Sequence, residues 1–503
     1  MRTLYRASRV HTQSRPGVGQ WLLIDERHVE RVGIGEAPDA DRVVDLPGTS
    51  IIPGFIDGHV HLTATGLSAV GIPIERARSA QELLGLVAEE ITHEPARVFA
   101  HGFDESRWRP RELPSLSDLD DVAAVPVVLV RVDGHLSIAN SPALSVSGAL
   151  EEDGVELDGA GRPTGVVRRA ANHRVQRWFH ESLSEHEIRE LQLEAASMAA
   201  ARGITCVHEM NTPAVRGRQD VEVLMAHRPN LPIDVVAYVA DRDIPWVMDL
   251  GLETIGGDLS LDGSIGARTA AIGDKYADGD GEGALYETDD DLAEFFHNAH
   301  LAGMQVAVHA IGAAAIEQVV RVWERVYRTL DSRQRRHFRA RRHRVEHFEL
   351  PSYDQIERAA ALGLSISVQP AFDAEWGHPG ALYEQRLGEE RARAMNPFGT
   401  LVSRGLAIGV GSDSPITPLD PMYGVWALET HHDASQRMSR DEAVHLFTVG
   451  SASLAHLEEK KGRLAPGMQA DFAVYDADPM EVEDVRELRP ILTVSRGREV
   501  FAR

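Results

Sequence analysis

A chain of 503 residues with 43% hydrophobic side chains has material for two or three packed units. Its 52 Lys and Arg against 77 Asp and Glu give a formal charge of −25, which disfavours nucleic acid or an anionic membrane as a partner. The N-terminus MRTLYRASRVHTQSRPG lacks an apolar signal core, and no apolar run approaches the roughly 20 residues of a membrane span, so a cytoplasmic enzyme or binding protein is expected.

Residues 1–52 read as short strands joined by turns, in WLLIDERHVERVGIG around Asp25, Glu26 and Arg27 and then in VVDLPGTSIIPGF. The far end repeats this style in QADFAVYDADP and ILTVSRGREVF. Neither end holds a full core, so residues 1–52 and 456–503 are expected to combine into one β domain. Between them, apolar strand-like runs alternate with helical patterns. PGFIDGHVHL is followed by GITCVHEM (203–210), PIDVVAYVA (232–240), GDLSLDGSIG (257–266), MQVAVHAIG (304–312), HRVEHFEL (343–350), LSISVQP (364–370) and LAIGVGSDSP (406–415). Helices are expected in LSEHEIRELQLEAASMAAARG, TDDDLAEFFHNAHLAG, AAIEQVVRVWERVYRTL and SYDQIERAAALG, several of them closed by glycine. Eight such units over residues 53–455 predict an α/β protein with a TIM-like (β/α)8 barrel. The interval from about 63 to 183 breaks the rhythm with its own strands, RVFAHGF and PVVLVRVDGHLSIANS, and is expected to be an insertion after the first barrel strand that roofs the site. The lone cysteine, Cys206, excludes an intrachain disulfide, fits a reducing compartment and is expected to fill core.

Ligand-type side chains recur at the expected C-terminal ends of these strands. His59 and His61 share a strand face, as does Asp57, and His309, His347 and Asp413 end the fifth, sixth and eighth strands. Histidines with one carboxylate form the donor set for zinc or a similar divalent ion with an open position for water. Asp413, in GVGSDSP, has a second expected role, accepting a proton from the attacking water and returning it to the leaving group. Gly409 and Gly411 let the backbone crowd the site.

The stretches PGFIDGHVHL, RVDGHLSIANSPAL, GITCVHE, LDGSIGARTA, VAVHAIG, RVEHFEL, GVGSDSP and KGRLAPGMQADFAVYDADP, in this order, resemble the amidohydrolase superfamily. Within it they resemble the YtcJ-like branch, amidohydrolase family 3, which includes N-substituted formamide deformylases. The resemblance implies a metal-dependent hydrolase with a barrel beside a composite β-sandwich domain, His59, His61, His309 and His347 as metal-binding histidines, and Asp413 as ligand and proton shuttle. It makes Asp57 an orienting partner of a ligand histidine. Many relatives carry a bridging lysine where this chain has Asp258, a shorter side chain. One tightly bound ion is therefore expected, with a two-ion site using Asp258 as the alternative and His347 either a ligand or a contact to the substrate carbonyl.

Further candidates are Arg268, for a substrate carboxylate or a structural salt bridge, His135 and Asn140, bordering the pocket from the inserted segment, and Trp108 and Trp376, walling an apolar site or packing. His208 is expected to be a core histidine. The expected reaction is hydrolysis of an amide, N-formyl or N-acyl C–N bond of a small molecule. Deamination or cyclic-amide opening by the same site is the alternative within enzymes, and a catalytically silent regulator the alternative outside them. The sequence leaves self-association open.

Overall fold

The computed structural model describes residues 1–15 and 17–503. Strands from both ends of the chain join in one seven-stranded sheet. Its order is Arg498–Ala502, Pro490–Ser495, Phe472–Tyr475, Arg42–Pro53, Arg2–His11, Val18–Asp25 and His28–Gly33. The Asp25–His28 turn divides the last two strands. Tyr5, Ile51, Phe472 and Val494 are buried in this sheet's core. The sandwich expected from the resemblance appears as this single hydrogen-bonded sheet. Strand Arg42–Pro53 leads straight into the central strands through Gly54, where a Cβ would lie 2.4 Å from the Thr205 side chain.

Eight central strands follow: β1 (Phe55–Val60), β2 (Ile204–Asn211), β3 (Asp234–Val239), β4 (Thr254–Ile255), β5 (Gln305–Ala310), β6 (Arg344–His347), β7 (Ser365–Val368) and β8 (Ala407–Val410). All pair in parallel, yet their ladders do not close into one barrel. They form a three-stranded sheet, β3-β2-β1, and a five-stranded sheet, β4-β5-β6-β7-β8. Isolated bonds span the two gaps: Gly256 N donates to Val239 O at 2.7 Å, and Val60 bridges Ser414. The fourth strand is a correction to the sequence reading. Gly256 and Gly257, at φ 88° and 78°, turn the chain after Ile255, so residues 257–266 run as irregular backbone with one bridge, Ser260 to His309.

The expected helices form, and for local reasons. Glu185–Ala200 starts on a Ser184/Glu187 capping box and buries Ile188, Leu191, Ala195 and Ala199 at helical spacing. It packs on Leu62–Val70, where a Cβ on Gly66 would lie 2.0 Å from the Leu191 carbonyl. Ala313–Thr329 buries Trp323, stacked at 4.1 Å on Phe296 of helix Asp289–Leu301. Burying each such ring contributes about 1.5–3 kcal/mol.

The inserted interval builds its own five-stranded sheet, in the order Val98–Phe103, Val127–Arg131, Leu136–Ala139, Pro163–Arg168 and Val155–Leu157, followed by helix Arg169–Glu181. It meets the loops of the central unit through polar contacts, Asp133 Oδ2 accepting from Ser264 Oγ at 2.6 Å and Arg107 pairing with Glu375 at 2.5 Å. Cys206 is buried core, as expected. No helix among the described residues is long and apolar enough to cross a membrane.

Candidate metal centre

His59 is the last residue but one of β1 and His61 follows the strand, both buried. Their Nδ1 atoms are already engaged, His59 with Glu346 Oε2 at 2.9 Å and His61 with the Met210 carbonyl at 2.8 Å. Both Nε2 atoms therefore turn the same way, to Asp413 Oδ1, at 3.4 and 3.2 Å. Neither His59 Nε2 nor Asp413 Oδ1 has a hydrogen-bond partner, although both are buried. Buried polar atoms left in this state call for a ligand, and two imidazole nitrogens with one carboxylate oxygen are zinc-type donors. The residues fit a divalent ion. A second, overlapping trio is His59, Asp258 and His347. Asp258 Oδ1 lies 3.6 Å from His347 Nε2 and 4.0 Å from His59 Nε2, and its Oδ2 lies 3.5 Å from His61 Nε2. His347 Nδ1 is engaged by Gln369 Oε1 at 2.8 Å, which again leaves Nε2 toward the site.

Backbone geometry aims these groups. His347 and Asp413 have φ of 71° and 55°, a left-handed conformation that costs energy outside glycine and clusters at functional sites. At His347 the turn brings both neighbouring side chains, Glu346 and His347, to one site, where simple strand alternation would part them. Gly411 lies so close to β1 that a Cβ would meet His59 N at 2.4 Å, and one on Gly409 would meet Ser451 Cα at 2.7 Å.

Charge is concentrated here. Burial pushes the His59 imidazole down, but Asp413, Glu346 and Asp258 outweigh it and hold it up at about 9. His309 is raised likewise to about 9, burial again being overcome by Asp258. Burial opposes ionisation of Asp258 and Asp413, yet the surrounding histidines draw both below the usual carboxylate range. Glu346, gripped by buried Arg344, falls to about 2 in spite of its burial.

His309 stands at the site, its ring 4.4 Å from that of His347, though outside both trios: its Nδ1 is 3.1 Å from Asp258 Oδ1 and its Nε2 3.3 Å from the Gly263 carbonyl. Other expected residues play different parts. Asp57 does not orient a ring; it accepts from His59 N at 3.2 Å and Ser412 N at 2.9 Å, tying β1 to the end of β8, and burial raises it to about 6. Arg268 forms a bidentate pair with Asp278 at 3.0 and 2.9 Å, partly exposed, and does not line the site. Asn140 is the N-cap of helix Ser141–Ser147 and binds Val127 N, Ala123 O and Val125 O. Asn before Ser-Pro is a capping signal, and it outcompetes the pocket reading. Trp108 packs in the inserted core, donating to the Ala77 carbonyl, and His208 is a buried partner of Arg344 at 2.9 Å. His135 does border the site, its ring 5.5 Å from that of His309. Trp376 lines an adjoining apolar pocket with Phe372, Leu382 and Ile265.

The sequence reading passed over Glu346, Arg344, Arg131 and Arg216. Glu346 stands beside a recognised histidine in RVEHFEL, and its own parity with Arg344 was the available signal.

A buried cluster of histidines and aspartates at the ends of parallel strands defines a class, and the comparisons agree with it. The profile of the Amidohydrolase family matches residues 42–501, and the chain belongs to that family. Within it the chain is a YtcJ-like member of amidohydrolase family 3, 27% identical to the YtcJ protein of Bacillus subtilis over 95% of this chain and 93% of that one. It is 24% identical to the N-substituted formamide deformylase of Arthrobacter pascens over 96% of this chain and 95% of the relative. The crystal structure of an uncharacterized metal-dependent hydrolase from Pyrococcus furiosus is similar at a TM-score of 0.74 and 26% identity, covering 96% of this chain and 100% of that one.

Proposed function

We propose that this amidohydrolase cleaves an amide, N-formyl or N-acyl C–N bond of a small organic substrate at a single zinc ion held by His59, His61 and Asp413. The observation that carries the reading is the convergence of His59 Nε2, His61 Nε2 and Asp413 Oδ1, two of them buried without a protein partner. The likeness to an N-substituted formamide deformylase supports the N-formyl class. When bound, the ion polarises a carbonyl and lowers the pKa of water.

The chain's own groups do the rest. Glu346 and the Met210 carbonyl fix the tautomers of His59 and His61. Asp413 accepts the proton released as water attacks and returns it to the leaving nitrogen. His347 Nδ1 donates to Gln369 Oε1, so its Nε2 turns a lone pair to the site. Asp258 stands between the imidazoles as an acceptor that adds negative charge. One ion is favoured over two because both trios need the same His59 nitrogen, whose ring partner is already bound to Glu346.

The architecture we read with this function is a (β/α)8 unit over 53–455, its two parallel sheets acting as one ring, with residues 63–183 as its cap. Residues 1–52 and 456–503 form a composite, sandwich-like β domain, bulged between Arg6 and Val10. A reducing, cytoplasmic setting suits the buried thiol of Cys206.

The test is elemental analysis of protein purified without chelators, followed by turnover of a panel of N-substituted formamides, N-acyl amino acids and cyclic amides. About one ion per chain, with activity lost on chelation and restored by zinc, is the expected result. Well under one ion, or no panel amide cleaved by zinc-loaded protein, overturns the reading. A value near two replaces the single ion with a pair spanned by Asp258.

A further inference from the structure

The pocket over the metal centre, lined by His61, Asp258, His347 and Asp413, extends to Arg216, His101 and His180. Arg216, the last residue of the short helix Pro213–Arg216, lines it and is only 8% exposed. The other buried arginines of this chain are neutralised. Arg131 meets Asp104, Glu105 and Asp133, Arg344 meets Glu346, and Arg386 meets Asp278. Arg216 differs: among the described residues no carboxylate reaches ion-pair distance, and its Nε has no partner. Its one polar contact is Nη1 at 3.5 Å from His61 Nδ1. That nitrogen already donates to the Met210 carbonyl at 2.8 Å, so it has no lone pair to offer.

The nearby carboxylates Glu209 and Asp220 feel the Arg216 charge but spend their hydrogen bonds on other groups. Glu209 accepts from Leu62 N at 2.6 Å, and Asp220 accepts from Thr63 at 2.5 Å and Asn211 at 2.6 Å. On the cavity wall, Asp133 is held by Arg131 and Ser264, while Asp258 and Asp413 belong to the metal centre. Two more wall residues, His101 and His180, each have a buried Nδ1 without a partner. Burial above all, with the Arg216 charge contributing, pushes His180 down to about 3 and His101 to about 4. Both are therefore neutral imidazoles able to donate one hydrogen bond. A guanidinium that no carboxylate ion-pairs, beside neutral donors, complements a carboxylate. An unpaired buried cation is costly to keep unless an anion joins it.

We infer that Arg216 receives a carboxylate carried by the substrate, so that the preferred amides are N-formyl or N-acyl amino acids and related acids. This rests on the reading of the neighbouring centre as a C–N hydrolase, and the acid group would sit one imidazole's width from it, across His61. An apolar side chain on such a substrate has the adjoining pocket of Phe372, Trp376 and Leu382 to enter.

The experiment titrates zinc-loaded full-length protein calorimetrically with N-acetylphenylalanine and with its carboxamide, and measures hydrolysis of N-formylphenylalanine against N-formylphenethylamine. Wild type should bind the acid about 10-fold or more tightly than the carboxamide. Arg216→Gln should erase that preference and Arg216→Lys retain part of it. Equal binding of acid and carboxamide by wild type, or a preference that survives in Arg216→Gln, overturns the inference. If Arg216→Gln does not fold, the wild-type comparison and Arg216→Lys decide it. Hydrolysis of the neutral formamide but not of the acid sinks the inference and leaves the hydrolase reading standing. Arg216-dependent binding of the acid with no amide hydrolysed does the reverse. If Arg216 serves only the carboxylate that hydrolysis creates, acetate competes as well as N-acetylphenylalanine, and the inference falls.

Discussion

Glu346 Oε2 lies 2.9 Å from His59 Nδ1, while Arg344 grips the same carboxylate through Nε and Nη2, each at 2.7 Å. All three side chains are fully buried. The arginine keeps the carboxylate ionised, the carboxylate fixes the imidazole tautomer, and the imidazole presents Nε2 to Asp413.

Glu346→Gln should weaken zinc affinity by about 10–100-fold, because the ring loses its anionic partner. It should also destabilise the fold by about 3–5 kcal/mol by leaving Arg344 buried and uncompensated. Competitive chelator titration and denaturant unfolding measure the two effects separately. An unchanged affinity would remove Glu346 from the orienting role.

Asp413 and the β1 histidines should separate on mutation. His59→Ala or His61→Ala removes a donor nitrogen, so metal and activity go together. Asp413→Asn keeps an oxygen near the ion but cannot take up a proton, so zinc is retained while kcat falls by about 10²-fold or more. Elemental analysis beside steady-state kinetics distinguishes the cases, and near-normal kcat in Asp413→Asn would pass the proton role to His347.

Asn140→Ala is expected to act on stability alone. Its amide satisfies Val127 N, Ala143 N and two carbonyls in the inserted sheet. Their loss costs about 2–3 kcal/mol. kcat/KM at 25 °C should stay within about 2-fold of wild type. A large kinetic defect in a folded variant would return Asn140 to the pocket.

Lys461 ties the terminal sheet to β3, pairing with Asp471 at 2.5 Å and Asp234 at 2.6 Å in a buried setting. Burial works against the Asp234 charge, but Lys461 outweighs it and lowers the folded pKa below the ordinary 3.8. The contribution of this group is thus present above 3.8 and lost as pH falls through the lower folded value. Lys461→Met should cost about 3 kcal/mol at pH 7, and its deficit against wild type should shrink as the pH is taken below 4. Urea melts across pH check the sign; a deficit that widens in acid contradicts it.

Seven of the eight central strands were legible because their apolar runs are buried and bounded by turns. The fourth was not, since LSL in GDLSLDGSIG alternates like a strand while Gly256 and Gly257 turn the backbone away just before it. His59, His61, His347 and Asp413 could be read from their places at strand ends. Asp57, expected to orient a ligand histidine, holds His59 by its main chain and not by its ring. Asp57 folds back onto two backbone amides, and Glu346, far away in sequence, takes the ring. His309 was read from its strand end and stands at the site, where Asp258 and the Gly263 carbonyl, both from the misread fourth segment, meet its two nitrogens. Arg216 gave no signal at all, because an arginine is singled out only by the partner it lacks.

The first and last central strands meet at the site itself, where Asp413 N donates to His59 O at 2.8 Å and His61 N to Ser414 O at 3.0 Å. A growing polypeptide therefore carries both β1 histidines through most of its synthesis before the aspartate that completes them leaves the ribosome. An ion held by His59, His61 and Asp413 would find its full donor set only after residue 413 has been made. Such an ion would tie the opening and closing strands together and, binding only the finished fold, would stabilise it by mass action. Chelation should loosen this seam before any other part of the molecule.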